Sequence, residues 1–238
     1  MAIYFISDPH FGHQNVIRYC QRPFSGIAEM ERVLIENYNT IVSPNDTVYF
    51  MGDIFFCGVT RAKETIKKLN GYKILIRGNH DRSIEKMKEI GFDEVYDKLE
   101  LDIEGVHVKM CHFPYRPFTG DIPQFVLDEI EKAKLEMRKT GQDTRSRIDS
   151  VLDNYTASGA ITQAQGERLK TYDMRFFERR YEDQGSWLLC GHIHEHWLKK
   201  KRMINVGVDV WDFKPVSVEQ ILKIMSDTRE DIKHCRDL

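Results

Sequence analysis

Residues 3–13 read Ile3-Tyr4-Phe5-Ile6-Ser7-Asp8-Pro9-His10-Phe11-Gly12-His13, an apolar run that passes directly into a carboxylate and two imidazoles. The first four residues read as a first core strand. The same succession recurs along the chain. Thr47 to Phe50 leads to Gly52-Asp53, and Lys73 to Ile76 leads to Gly78-Asn79-His80-Asp81. An alternating stretch ending at Met110 leads to Cys111-His112, and Trp187 to Cys190 leads to Gly191-His192-Ile193-His194. In an open α/β sheet, functional groups gather beyond the carboxyl ends of the strands, so loops from one sheet edge can converge on one point.

Working outward, the intervening segments carry helical periodicity, which predicts a layered α/β fold. Between Ile27 and Ile41, apolar residues at 27, 30, 33, 34, 38 and 41 trace one helical face. Arg61 to Asn70 reads as a helix ended by Gly71. Leu99, Leu101 and Ile103 alternate with polar residues, as do Val106, Val108 and Met110 after Glu104-Gly105; this predicts a hairpin with one buried face. Met203 to Val208 reads as a later strand. Ser217 with Gln220 forms a capping box that opens a helix through Met225. The last dozen residues are polar and read as peripheral.

From Phe118 to Gly185 no strand signal is present. Charged helical stretches run over Gln124 to Lys139, Thr144 to Tyr155 and Gln163 to Tyr181, interrupted by Gly141, Ser158 and Gly159. Residues 118–185 are therefore expected to form a helical insertion in one domain spanning 1–238, and a cap over the functional groups is the role expected of it.

The composition narrows the class. At 41% hydrophobic and 30% charged, 238 residues support one sizeable globular core. A net charge of -2 provides no global field toward nucleic acid or membrane. No apolar run reaches the roughly 20 residues of a membrane helix. The opening residues lack a basic leader region, so a cytoplasmic protein with no membrane partner is expected. Five scattered cysteines without a Cys-x-x-Cys pair read as reduced thiols, with Cys111 and Cys190 as small core residues.

Histidine nitrogen and carboxylate oxygen together suit a pair of borderline divalent cations. In an extended loop, alternate positions bring Asp8 and His10, or His192 and His194, to one ion. Asp53 can bridge two ions with its two oxygens, and the Asn79 oxygen can complete the second. Any one fragment is more often a turn than a metal site; the order, spacing and placement after strands give the set its weight.

That ordered set, Asp-x-His, Gly-Asp, Gly-Asn-His-Asp, a single His and Gly-His-x-His, resembles the calcineurin-like metallophosphoesterase superfamily over residues 1–117 and 186–225. The opening Ser7 to His13 and the later segments His112 to Arg116 and Asn205 to Asp209 are similar to those of its small bacterial and phage-type members. The resemblance implies a four-layer α/β/β/α sandwich. It implies one ion on Asp8, His10, Asp53 and His194, and another on Asp53, Asn79, His112 and His192. It also implies His80 protonating the leaving oxygen with Asp81 orienting its ring; a helix cap is the alternative for Asp81. His13 and Arg116 are candidate substrate contacts, against a satisfied loop histidine and a surface salt bridge.

The implied activity is phosphoester hydrolysis by a hydroxide activated by two metals, manganese first, with iron, zinc, nickel or cobalt as alternatives. The expected substrate is a phosphodiester or nucleotide-type molecule, with DNA or RNA cleavage as the runner-up and a non-catalytic interaction module as the remote alternative. Gly52-Asp53 continues as Ile54-Phe55-Phe56-Cys57 and lacks the Gly-Asp-x-x-Asp-Arg-Gly element of protein Ser/Thr phosphatases. The segment Tyr172 to Tyr181 mixes Arg175, Arg179 and Arg180 with Phe176 and Phe177. It reads either as a base-stacking, phosphate-holding surface or as an amphipathic helix packed on the core.

Overall fold

The computed structural model describes residues 1–140, 143–171 and 173–238, with Arg138 described by its backbone only. The expected break at Gly141 and the first residue of the Tyr172–Tyr181 segment lie outside the described residues. The chain divides into two compact units, one of Met1–Pro114 with Asp183–Leu238 and one of Tyr115–Glu182. The second lies three residues earlier at each end than the expected insertion.

In chain order the elements are β1 (Ile3–Ile6), α1 (Gln14–Tyr19), α2 (Ile27–Ile41), β2 (Thr47–Phe50), α3 (Val59–Ile66), β3 (Tyr72–Ile76), α4 (Ile84–Ile90), β4 (Glu94–Tyr96), β5 (Leu99–Ile103) and β6 (Val106–Met110). The helical unit contributes α5 (Gln124–Thr140), α6 (Thr144–Ala157) and α7 (Gln163–Thr171). The chain closes with β7 (Trp187–Cys190), β8 (Lys199–Lys200), β9 (Met203–Asn205), β10 (Val216–Ser217), α8 (Val218–Ser226) and β11 (Asp231–Ile232).

The strands form two sheets, ordered β10-β1-β2-β3-β4 and β11-β8-β9-β7-β6-β5. Strands β1 to β4 are mutually parallel, as are β6, β7 and β9. The side-chain period of two splits each central strand between two cores. Ile6, Val48, Phe50 and Leu75 join Met30, Leu34 and Tyr38 of α2, Ala62 and Ile66 of α3, and Met87 and Ile90 of α4. Phe5, Tyr49, Ile74 and Ile76 face the other way and meet Val108, Met110, Leu189 and Ile204 of the second sheet, where α8 adds Ile221 and Ile224. Each fully buried Leu, Ile or Phe contributes about 1.5–3 kcal/mol, so alternation along three short strands binds a helix layer to one face and a sheet to the other.

Local chemistry explains where sequence expectation and structure part. Helix α2 has its expected bounds, and the Ser217–Gln220 capping box is formed at α8. Glu104 and Gly105 both take positive φ, at 48° and 82°, the conformation of a tight two-residue hairpin turn between β5 and β6. The helix expected over Arg61–Asn70 stops at Ile66, and Lys68 and Leu69 continue by bonds to residues three back. The strand expected to reach Val208 ends at Asn205, whose side chain accepts from Gly207 N and so competes with the ladder. The C-terminal dozen includes β11, an edge strand on β8. Strands of two or three residues are too short to show alternation.

In the helical unit, Val126, Ile130, Ile148, Leu152 and Leu169 form a core of their own. The third stretch, expected to run unbroken to Tyr181, is divided: α7 ends at Thr171, and Met174–Arg179 is a 3-10 turn begun by Asp173 at φ 46°. Arg116 belongs to this unit. Its guanidinium lies 4.8 Å over the Phe177 ring and 3.4 Å from Glu178 Oε2, and its Nε donates to the Arg180 carbonyl at 3.2 Å. These contacts correspond to the salt-bridge reading of Arg116, and Phe177 packs against the unit's core.

Candidate metal centre

The five loops that follow β1, β2, β3, β6 and β7 run side by side at the ends of both sheets. Asp8 N donates to the Gly52 carbonyl at 3.1 Å, His10 N to that of Asp53 at 3.3 Å, and Gly191 N to that of His112 at 2.9 Å. Ser7 N to Val206 O at 2.9 Å ties the first loop to the second sheet. Close approach explains two of the glycines. A Cβ on Gly78 would stand 2.0 Å from Asp53 Oδ1, and one on Gly191 would stand 1.9 Å from Ser7 Oγ.

Asp8, His10, Asp53, His192 and His194 all have left-handed backbone, with φ of 56°, 54°, 57°, 71° and 46°. Asp and His tolerate this region better than most residues, but each instance still costs about 1–3 kcal/mol. The strain turns successive side chains inward from loops that pass close to one another.

Two groups result. Ligand atoms of Asp8, His10 and His194 lie within 4.8 Å of one another, and so do those of Asp53, His112 and His192. Asp53 Oδ2 stands between them, 3.9 Å from His10 Nε2 and 3.5 Å from His112 Nε2. His112 Nε2 is also 3.1 Å from Asn79 Oδ1. The seven residues expected at the centre are thus brought together.

Donors on one first-row cation stand roughly 3–3.5 Å apart when bond lengths are near 2.1 Å. The 3.6 Å from Asp8 Oδ1 to His10 Nε2 and the 3.5 Å from Asp53 to His112 are close to that. Asp8 Oδ1 and His10 Nε2 are moreover buried without a hydrogen-bond partner. A buried lone pair left unmatched is costly, and a cation between the two atoms would satisfy both. On these observations the residues fit a divalent metal.

The electrostatics are polarised. Burial pushes the carboxyls of Asp8 and Asp53 up, but the surrounding imidazoles outweigh it and hold both below the usual range. Burial lowers His112, yet the Asp53 charge and hydrogen bond raise it to about 9. His194 is raised to about 11 against its burial, chiefly by its hydrogen bond to Asp209.

Each buried histidine is held by its other nitrogen. His112 Nδ1 donates to the Met51 carbonyl at 2.6 Å, which leaves Nε2 facing Asp53 and Asn79. His194 Nδ1 is 3.0 Å from Asp209 Oδ2. His10 Nδ1 is 3.0 Å from His13 Nδ1, so the two rings share one hydrogen bond. His13 therefore fits the satisfied-histidine reading. Its ring also stacks on Phe56 at 4.1 Å, and burial with the neighbouring His10 pushes it down to about 4.

His80 is half exposed beside the centre, with Nε2 at 4.0 Å from Asp53 Oδ2 and its ring against Phe56. Asp81 does not touch that ring. Its carboxylate accepts from the backbone N–H groups of Asp53 at 2.8 Å, Ile54 at 3.1 Å and Gly78 at 2.7 Å, pinning the second and third loops together. Nor does it cap the next helix, where Ser83 accepts from Lys86 N. Desolvation and the Asp53 charge raise its carboxyl.

Three partners of the centre carried no individual signal in the sequence. Asn205 donates to the carbonyls of His194 at 2.7 Å and Trp197 at 2.9 Å. Asp209 and Arg22 stand behind His194 as a buried ion pair, with Arg22 Nε 2.7 Å from Asp209 Oδ1. Asn205 and Asp209 lie within the Asn205–Asp209 segment that carries the family resemblance; nothing marked Arg22.

A layered two-sheet α/β fold with this loop-borne cluster defines a metal-dependent phosphoesterase. The chain belongs to the calcineurin-like phosphoesterase family, which it matches over residues 1–196. It is 29% identical to the uncharacterized protein MJ1445 of Methanocaldococcus jannaschii, over 94% of this chain and 90% of that one. It is 23% identical to the gene 66 protein of Mycobacterium phage D29, over 97% and 98% of the two chains. The crystal structure of AQ665, a protein of unknown function from Aquifex aeolicus, superposes with a TM-score of 0.55 at 27% identity, covering 94% of this chain and 98% of that one. No helix among the described residues is long and apolar enough to cross a membrane.

Proposed function

We propose that the chain hydrolyses a phosphodiester or nucleotide-type substrate at a dinuclear centre held by Asp8, His10, Asp53, Asn79, His112, His192 and His194. The observation that carries this reading is the position of Asp53 Oδ2 within 3.9 Å of His10 on one side and 3.5 Å of His112 on the other. These residues would hold two divalent cations, manganese or another first-row ion suited to imidazole and carboxylate, which would supply Lewis acidity and lower the pKa of water.

The protein's own groups supply the rest. Asp53 Oδ1 accepts from His80 N at 2.9 Å, which sets the His80 backbone against the centre while its ring stays accessible. His80 Nε2 is the atom placed to give a proton to the departing alkoxide, and the Phe56 ring limits where the imidazole can swing. Asp81 acts at a distance by fixing the loops of Asp53 and Gly78.

The lining supports a singly charged diester. Arg22, behind the centre, is engaged by Asp209 and by the Asp8 and Pro9 carbonyls. Among the groups beside the cluster in the α/β unit are the rings of His13, Phe56, His80 and Phe113. With Arg22 engaged elsewhere, these rings add no third cationic clamp to the two ions, which favours a phosphate with one charge over one with two.

The test compares bis-nitrophenyl phosphate, nitrophenyl phosphate and single-stranded DNA under saturating Mn²⁺. Faster turnover of the small diester is expected. Preference for the monoester or for the polynucleotide would reassign the substrate, and inertness at full metal load would remove the enzymatic reading.

A further inference from the structure

Arg22 reaches several groups at once. Its Nε and one terminal nitrogen form a two-pronged pair with Asp209, at 2.7 Å to Oδ1 and 2.9 Å to Oδ2. That same terminal nitrogen donates to the Asp8 carbonyl at 2.7 Å, and the other donates to the Pro9 carbonyl at 3.1 Å. The side chain of Arg22 is 0% exposed and that of Asp209 2%. Asp209 Oδ2 in turn takes the Nδ1–H of His194 at 3.0 Å.

The Asp8 and Pro9 carbonyls are the backbone of the turn between Asp8 and His10, both held at positive φ. One guanidinium therefore fixes that turn directly and fixes the His194 ring through Asp209. Asp8, His10 and His194 are the three residues of one ligand group. The planar fork of arginine suits this task because its donors lie in fixed directions, which a lysine cannot reproduce.

The geometry points to Arg22 and Asp209 as positioning residues that set metal affinity selectively in the Asp8–His10–His194 half of the centre. The inference rests on the proposed dinuclear reading and adds an asymmetry to it. The His112 ring of the other half is oriented without this pair, by the Met51 carbonyl at 2.6 Å, and the link from His192 N to Asp8 Oδ2 at 2.9 Å runs through the backbone of His192 rather than its ring. Loss of an outer hydrogen-bond partner typically weakens a metal site about 10–100-fold.

The experiment titrates the metal-free full chain with Mn²⁺, reading stoichiometry by elemental analysis and spin coupling by electron paramagnetic resonance. In the unaltered protein two ions per chain with a coupled signal are expected. Asp209→Asn should bind one ion with unchanged affinity and the other about 10–100-fold more weakly, giving an uncoupled signal at limiting metal. Arg22→Lys should fall between the two. Two ions bound by Asp209→Asn with unaltered affinities, or both weakened equally, would overturn the inference.

A reading on the unaltered chain covers the case of variants that do not fold. In the zinc-loaded protein, long-range ¹H–¹⁵N spectra should show His194 protonated at Nδ1 and ligated through Nε2. Ligation through Nδ1 would overturn the role of Asp209. Failure of the unaltered chain to bind any metal would instead remove the dinuclear reading itself.

Discussion

The two halves of the centre are built from the same residue types but braced differently. In the half of Asp53, Asn79, His112 and His192, the histidine brace is backbone: the Met51 carbonyl orients His112, while the Asp81 carboxylate pins the loops of Asp53 and Gly78. In the half of Asp8, His10 and His194, the support is mostly side chain: His13 for His10, and Asp209 with Arg22 for His194. A backbone brace survives substitution of the residue that supplies it, whereas a side-chain brace does not. The brace on His112 should therefore be mutationally robust and the brace on His194 fragile.

The largest effect should come from the residue common to both. Asp53→Asn is expected to lower kcat/KM more than about a hundredfold, beyond the range of any outer partner, and to reduce metal content in both halves. Normal loading and turnover in that variant would end the idea of a shared carboxylate. His80→Ala comes next. It should keep two ions per chain while kcat falls by about 10²-fold or more, the contribution of a positioned proton donor. If the rate falls only together with metal content, His80 is part of the scaffold.

The pH dependence of loading separates the halves more finely. A raised histidine pKa means that the folded, metal-free chain holds a proton that the unfolded chain releases near pH 6.5. The stability from that proton is complete below pH 6.5 and is lost as pH rises through the folded value, about 9 for His112 and about 11 for His194. A cation must displace the same proton, so each affinity should climb up to tenfold per pH unit. The climb should level near pH 9 in the His112 half and continue toward 11 in the His194 half. Calorimetry of the metal-free protein across this range would show one plateau or two; a single common plateau would contradict the asymmetry.

The smallest effect is expected from Met51→Leu. The side chain is buried in the core between the sheets, where a swap of similar volume costs under about 1.5 kcal/mol, and the carbonyl that holds His112 remains. Thermal denaturation should shift modestly while Mn²⁺ affinity stays unchanged. A loss of affinity comparable to that of Asp209→Asn would erase the distinction between backbone and side-chain bracing.

Much of this molecule was legible in one dimension. Ile3–Ile6, Thr47–Phe50 and Trp187–Cys190 appear as strands with the bounds read from their apolar runs, and Ile27–Ile41 as a helix from its stripe. The loops after the strands contain all seven grouped residues. These features follow from short-range rules, since side-chain period and turn-forming residues act over a few positions. Elsewhere the deciding partner is distant in the chain. Asp81 sits where either a helix cap or a partner for His80 could be expected, yet its bonds go to amides 27 and 28 residues away.

The chain alone, then, settled which side chains were available for a cation and at which strand ends they would emerge, because periodicity and residue chemistry are written locally. Their partnership was settled only on folding. Arg22 and Asp209 are 187 positions apart and meet because two sheets pack face to face and bring the ends of their parallel strands to one place. No local pattern encodes that encounter; it depends on the burial of both cores at once.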